Sequence, residues 1–186
     1  MLSRLGIEVV PQSELGIADT AEPHGTFVEN ALAKARHACR LSGLAAFADD
    51  SGICVDALGG EPGVRSARYA EEGGAGRDSQ DRRNNEKLVA ALSGRTDRGA
   101  HYYCVIVLVR RPEDPQPLIA EGRWRGEVIA TPRGAGGFGY DSYFLLPGLN
   151  RTAAELEPDE KNAISHRGQA LARMVEMLRY AEYQAS

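Results

Sequence analysis

Residues 46–60 read AFADDSGICVDALGG, and the parsing of that stretch decides the fold. Two short apolar runs flank a pair of adjacent carboxylates and a Ser-Gly pair. Apolar runs of this length, bounded by turn residues, read as buried strands. The pattern predicts two strands, AAFAD and ICVDAL, parted by a turn at Ser51-Gly52. Adjacent side chains of a strand point to opposite faces, so Asp49 and Asp50 separate. A carboxylate pair where a strand meets a turn suits Mg²⁺, a hard cation that takes oxygen ligands. The same residues also suit an Asx-turn that simply ends the strand.

Helices and further strands surround this centre. Thr26 and Glu29 form a capping-box pair, and TFVENALAKARHACRLSG reads as a helix stopped by Gly43. Phe27, Ala31, Ala35, Ala38 and Leu41 give it an apolar stripe. Upstream, GIEVVPQ reads as a short strand, and the stretch from Gly16 to Gly25 as an acidic loop. Downstream, GGEPGVRSARYA reads as a Gly/Pro loop leading into a short helical piece. RDSQDRRNNEKLVAALSG then begins polar and becomes a helix ending near Gly94. HYYCVIVLVRRP is the strongest strand, rich in β-branched and aromatic residues. PLIAEGRWRGEVIATP reads as two strands around Gly122 and Gly126, and GAGGFGYDSYFLLPG as a glycine loop entering a strand. A last helix is predicted from about Ser165 to Tyr183. Strands mixed with helices and no internal repeat predict an α/β fold around a mixed sheet.

Bulk composition excludes several classes. The 186 residues suit one domain or two small lobes, and 42% apolar residues suffice for a core without staples. A formal net charge of -4 argues against a nucleic-acid backbone binder, which needs a basic surface. The three cysteines, Cys39, Cys54 and Cys104, are scattered and form no C-x-x-C pair, so free buried thiols are expected. No segment approaches the ~18 consecutive apolar residues of a membrane span. The opening MLSRLGIEVV lacks a signal-peptide core, and the expected location is cytoplasmic.

Four features carry chemistry. Asp49 and Asp50 are the first. The second is the glycine loop: Gly134, Gly136 and Gly139 fit G-x-G-x-x-G, but a strand-like segment follows, where a dinucleotide fingerprint requires a helix. Phe138 and Tyr140 within it suit stacking on a base, or core packing. The third is DEKNAISHRGQAL. Ser165 reads as an N-cap, with His166 and Arg167 in the first turn and Lys161 just upstream. Cations there oppose the helix dipole unless an anion is near. The fourth is Asn30 and Lys34, at i and i+4 on one helix face. No G-x-S-x-G elbow and no His/Cys metal spacing is present. The remaining inventory suits Mg²⁺-dependent hydrolysis of a nucleoside phosphate.

Together, TFVENALAKARHA, ADDSGICVDALGGEPGVRSARYA, GGFGYDSYF and AELEPDEKNAISHRGQAL resemble the inosine/xanthosine triphosphate pyrophosphatase family. They recur in that family's order from about Glu22 to Leu171. The resemblance implies hydrolysis of nonstandard purine nucleoside triphosphates (ITP, dITP, XTP) to monophosphate and pyrophosphate, cleansing the nucleotide pool. It implies an elongated mixed sheet flanked by helices, with two lobes and a central cleft, in one domain spanning 1–186, and a homodimer. It implies Mg²⁺ as cofactor and neither nucleic acid nor membrane as partner. By the same resemblance Asp50 is the catalytic acid/base and, with Glu22, a metal ligand. Ser51 is a substrate contact and Lys34 faces the phosphates. Phe138, Gly139, Tyr140 and Asp141 match the FGYD base-recognition loop. Lys161, His166 and Arg167 match substrate-binding positions, the last two reading the six-position oxygen of the purine.

Two departures stand out. Ser142 occupies a position where the family usually has proline. The family's opening strand and T/S-x-N-x-x-K phosphate loop have no match, and LSRLG resembles the last turn of the helix that follows them. On that reading the chain is N-terminally short, with ~15–25 residues encoded upstream, enough for a strand, a loop and a helix start. The alternative reading is a truncated relative that binds nucleotide or partner without efficient turnover, and a third is the same fold acting on another nucleotide.

Overall fold

The computed structural model describes residues 6–70 and 76–185, with side chains through Tyr180. The expected helix end at LSRLG therefore lies, but for Gly6, outside the described residues. The elements, in chain order, are α1 (Phe27–Ser42), β1 (Ala46–Val55), α2 (Arg77–Ala91), β2 (Gly99–Val109), β3 (Leu118–Val128), β4 (Phe144–Leu146), β5 (Arg151–Thr152), α3 (Pro158–Ile164) and α4 (His166–Ala185). Short 3-10 helices lie between them, among them Gly63–Arg68 and Asp141–Tyr143. The five strands form one sheet in the order β1-β2-β3-β4-β5. β3–β4 pairs antiparallel with Val128 opposite Phe144, and β4–β5 with Leu145 opposite Thr152. This is the expected α/β class.

The stretch at 46–60 folds differently from its local signals. Ala46–Val55 is one uninterrupted strand, running straight through Ser51-Gly52. Gly52 is there for proximity rather than for a turn. A Cβ on it would lie 2.4 Å from both the Gly63 carbonyl oxygen and the Ser66 hydroxyl. That hydroxyl accepts from the Ile53 N–H at 2.9 Å and donates to the Gly63 carbonyl at 2.6 Å. The Gly63–Arg68 helix is thus closed against the strand. β3 is likewise one strand, not two. Buried Ala120, Gly122 and Trp124 alternate with exposed Glu121, Arg123 and Arg125, and this period-2 pattern outweighs the two glycines. Ile7–Val10 forms no strand, and Val9 and Val10 are exposed.

α1 begins as expected. Thr26 accepts from the Glu29 N–H, and its hydroxyl donates to the Glu29 carboxylate. Gly43 ends it with its N–H on the Cys39 carbonyl. Its buried face is Asn30, Ala31, Ala35 and Cys39, whereas Leu41 is exposed.

The chain divides into two compact units, one drawn from Met1–Asp50, Cys104–Gly122 and Arg167–Ser186, the other from Ser51–Tyr103 and Arg123–His166. In the first, Ala170 and Met174 of α4 pack on Cys104, Ile106 and Ala120. In the second, Leu88 and Leu92 join Ile53, Val55, Tyr102, Trp124 and Phe144 in the larger core. Each large apolar side chain buried there contributes about 1.5–3 kcal/mol. The three cysteines are free thiols, as expected. Burial pushes all three up, that of Cys104 to about 12, so they stay protonated and unreactive at neutral pH.

The connection after β2 is tied by one carboxylate. Asp114 is buried and accepts from the Arg110 Nε at 2.8 Å, the Arg110 N–H at 3.0 Å and the Gln116 N–H at 2.9 Å. The Arg110 guanidinium, and then the two peptide N–H groups, hold its pKa well below the usual carboxylate range. A depressed folded pKa stabilises above the unfolded value and ceases to do so as pH falls through the folded one. Asp114→Asn is therefore expected to melt lower than the parent at pH 7. The gap should narrow below about pH 4, where the unfolded carboxyl takes up its proton. Melting curves of both proteins from pH 7 to pH 3 check this, and a gap that does not change with pH refutes it.

Candidate functional site

β1 carries the central carboxylates on opposite faces. Asp49 accepts from the Arg167 Nε at 3.1 Å and Nη2 at 2.9 Å, at the start of α4. Asp50 turns the other way and meets α1. Its Oδ2 accepts from the Asn30 Nδ2 at 3.2 Å, and its Oδ1 from the Lys34 Nζ at 3.1 Å. The same Nζ donates to the Glu22 Oε1 at 2.8 Å. The helical spacing of Asn30 and Lys34 is what lets both reach one carboxylate. Asn30 is fully buried and also holds the approach to α1. Its Oδ1 accepts from the His24 N–H at 3.0 Å, and its Nδ2 donates to the His24 carbonyl at 3.3 Å.

Burial raises the Asp50 pKa, and the opposing pull of Lys34 and Asn30 does not cancel that rise. Asp50 is therefore a stronger base than a solvated aspartate. Burial also works against the Lys34 ammonium, but Glu22 and Asp50 outweigh it and its pKa ends raised. Lys34 stays charged at neutral pH. The cluster thus holds one cation between two carboxylates, of which Asp50 is the more buried.

The two oxygens around the Lys34 Nζ test the fit of a divalent cation. Glu22 and Asp50 already converge on a positive charge, and both offer hard oxygen donors. Among the described residues no group of three or more His, Cys, Asp or Glu could hold a metal ion. Two carboxylates are what these residues could offer such an ion. That matches Mg²⁺, which is commonly held by one or two carboxylates together with substrate phosphates.

The second group of sequence-expected residues lies on the glycine loop and α3. Phe138 is 53% exposed, with the Arg77 guanidinium 4.9 Å and the Lys161 ammonium 5.1 Å from its ring centre. Tyr140 is instead in the core, its hydroxyl donating to the Ser66 carbonyl at 2.8 Å, and burial pushes that hydroxyl's pKa up. Phe138 is thus the ring of this pair that is presented to solvent. Asp141 is 4% exposed and accepts from the Phe138 N–H at 2.8 Å, the Lys161 Nζ at 2.5 Å and the Tyr102 hydroxyl at 3.4 Å. Its carboxylate is an internal organiser of the loop. Gly137 must be glycine: its φ is +73°, and a Cβ would lie 2.1 Å from the Asp141 Oδ2. A pocket of about 350 Å³ opens beside this loop, lined among others by Asp78, Arg82, Gly136, Phe138 and Ser142.

His166, the first residue of α4, is buried with its ring stacked on Tyr102, centres 4.7 Å apart and planes 8° from parallel. Ser51 follows Asp50 along β1 and is half-buried. The structure thus joins Glu22, Lys34 and Asp50 in one cluster, and Phe138, Asp141 and Lys161 in another. Asn30 was singled out from sequence only as sharing a helix face with Lys34, and Tyr102 was given no role. A signal existed for Asn30, a polar residue beside Ala31 in the buried stripe. None existed for Tyr102, one of two adjacent tyrosines in an apolar strand.

The chain matches the Ham1 family over residues 1–177. It is 65% identical over 182 residues to the dITP/XTP pyrophosphatase of Ralstonia nicotianae, covering 98% of this chain and 90% of that protein. It is 65% identical over 178 residues to the dITP/XTP pyrophosphatase of Nitrosomonas europaea, covering 96% of this chain and 85% of that protein. The solved structure of a HAM1 protein from Coxiella burnetii superposes with a TM-score of 0.89 at 48% identity, covering 96% of this chain and 89% of that one.

Proposed function

Because the chain belongs to the Ham1 family and is an enzyme hydrolysing nonstandard purine nucleoside triphosphates, we propose that it cleaves ITP, dITP and XTP to the monophosphate and pyrophosphate with Mg²⁺. The observation that carries this reading is the Asn30–Lys34–Glu22–Asp50 cluster, a buried, basic carboxylate beside a retained ammonium. In it Asp50 accepts the proton of the attacking water at its carboxylate. The Asn30 amide and the Lys34 ammonium fix that carboxylate's orientation. Lys34 remains charged and lies in place to offset phosphate charge. Glu22 and Asp50 would hold the Mg²⁺, which when bound neutralises the triphosphate and polarises its phosphoryl oxygens.

The base side falls to the glycine loop. The exposed Phe138 ring offers a stacking face, and the nearby Lys161 ammonium a donor for a purine acceptor. Hydrogen bonds to the six-position oxygen would separate inosine and xanthosine from adenosine, since an unmade buried hydrogen bond is costly.

Hydrolysis of ITP, dITP, XTP, GTP and ATP by the purified chain, followed by chromatography, tests the proposal. The expected result is equal yields of monophosphate and pyrophosphate from the first three, little product from ATP, and loss of turnover with EDTA that Mg²⁺ restores. Release of diphosphate and orthophosphate would refute the product assignment. Undiminished turnover in EDTA would refute the metal.

A further inference from the structure

α2 is an anomaly as a packed helix. A helix on a core ordinarily presents an apolar stripe. RDSQDRRNNEKLVAA instead buries Asn84 and Asn85 beside Leu88. Buried amides are costly unless they are hydrogen-bonded, so their partners show what the helix holds.

Those partners are the base loop and its support. The Gly139 N–H donates to the Asp81 Oδ2 at 2.8 Å. The Asn85 Nδ2 donates to the Gly139 carbonyl at 2.8 Å and to the Asp81 carbonyl, one turn back, at 2.8 Å. Both polar groups of Gly139 are therefore gripped by side chains of α2, one turn apart. Both Asn85 amide hydrogens face carbonyl oxygens, which fixes the orientation of that amide. The neighbouring Asn84 donates to the Ala67 carbonyl at 3.0 Å and the Ser66 carbonyl at 3.3 Å, and accepts from the Ala70 N–H at 2.8 Å. The Ser66 carbonyl also receives the Tyr140 hydroxyl. Phe138 and Tyr140, on either side of Gly139, are thus referenced to one helix.

We propose that Asp81 and Asn85 are positioning residues for purine selection, a clamp on the two peptide units that flank Gly139, which sets the attitude of the Phe138 ring without touching substrate. The inference rests on the reading of the Phe138 loop as the base site. Asp81 accepts from the peptide unit that joins Phe138 to Gly139 and Asn85 donates to the one that joins Gly139 to Tyr140, so both planes flanking Gly139 are held. Releasing either frees one of the two peptide planes at Gly139, a residue at φ +61°, and with it the setting of the Phe138 ring. The phosphate-side cluster on α1 shares no residue with the clamp. The effect therefore falls on substrate affinity and base preference, not on the chemical step.

The test compares Asp81→Leu, Asp81→Asn, Asn85→Asp and Phe138→Ala, with melting temperature, KM and kcat for ITP and ATP as readouts. Asp81→Leu is expected to raise the KM for ITP about tenfold, with kcat within about twofold, and to lower the preference for ITP over ATP. Asp81→Asn keeps an acceptor and is expected to stay within about twofold of the parent in KM. Asn85→Asp sets a carboxylate against the Gly139 carbonyl and is expected to match Asp81→Leu, which preserves the test if Asp81→Leu does not fold. A raised KM in Phe138→Ala with unchanged KM in both clamp variants overturns the clamp and leaves the base-loop reading standing. A fall in kcat at unchanged KM also overturns it. An unchanged KM in Phe138→Ala removes the base-loop reading itself, and the clamp with it.

Discussion

Asp50→Asn is expected to lower kcat for ITP at least about a hundredfold, the usual range for losing a general base. The substitution keeps the size of the side chain and one oxygen, which serves the Lys34 or the Asn30 bond but not both, so a cooperative melting transition should persist at a lower temperature. What it removes is the buried, basic carboxylate. An amide accepts no proton near neutral pH, and Lys34, still paired with Glu22, does not replace it. Steady-state release of pyrophosphate measures the effect. A variant keeping more than about a tenth of parental turnover, a barrier change of only about 1.4 kcal/mol, would show that Asp50 is not the base.

Asp141→Ala is expected to have the largest effect on the base side. One carboxylate there satisfies the Phe138 N–H, the Lys161 ammonium and the Tyr102 hydroxyl. Alanine leaves all three without that acceptor, and Lys161 is mostly buried. Breaking a buried ion pair from one side costs about 3–5 kcal/mol, and the partial exposure of Lys161 places the expected loss of stability near the lower end. The loop also loses its internal tie, so the KM for ITP should rise about fiftyfold or more. Denaturant unfolding and ITP kinetics check the two effects separately. Parental KM in a folded Asp141→Ala protein would show that the carboxylate does not organise a binding loop.

Local signals made some elements legible. The Thr26–Glu29 pair and Gly43 bracket α1 because capping and helix termination are set within a few residues. The apolar run of β2 needs no distant partner to read as a strand. Gly52 misleads for the opposite reason. Locally Ser-Gly signals a turn, but the glycine answers to Ser66 and Gly63, which only the folded chain brings near. Ile7–Val10 misleads in the same way, because alternation shows only that a strand is possible. The site divides similarly. The spacing of Asn30 and Lys34 and the Asp49-Asp50 pair were readable, whereas the choice of Asp50 over Asp49 and the role of Glu22 came from resemblance to a family. That all four converge is a tertiary fact. The inward turn of the Asp141 carboxylate, the burial of Tyr140 and the hold of α2 on Gly139 left no local trace. Polar residues on a helix look solvated until their partners are known.

The continuity of β1 through Asp49 and Asp50 makes the identity of the base a matter of parity. Side chains along a strand alternate strictly, so a slip of one residue exchanges every face. Deleting Ala48, or inserting one residue before Asp49, would turn toward α1 a side chain that now faces away from it. If the downstream pairing held, a deletion would leave the two aspartates in place and shift only the residues before them. If the upstream pairing held, the deletion would set Asp50 where Asp49 now meets Arg167, and Asp49 at the place of Ala48 on the α1 face. Substitutions at Phe47 or Ala48 change packing by degrees, whereas a length change in β1 chooses which carboxylate is buried. The strand therefore acts as a reading frame in space, tolerant of spelling and intolerant of count.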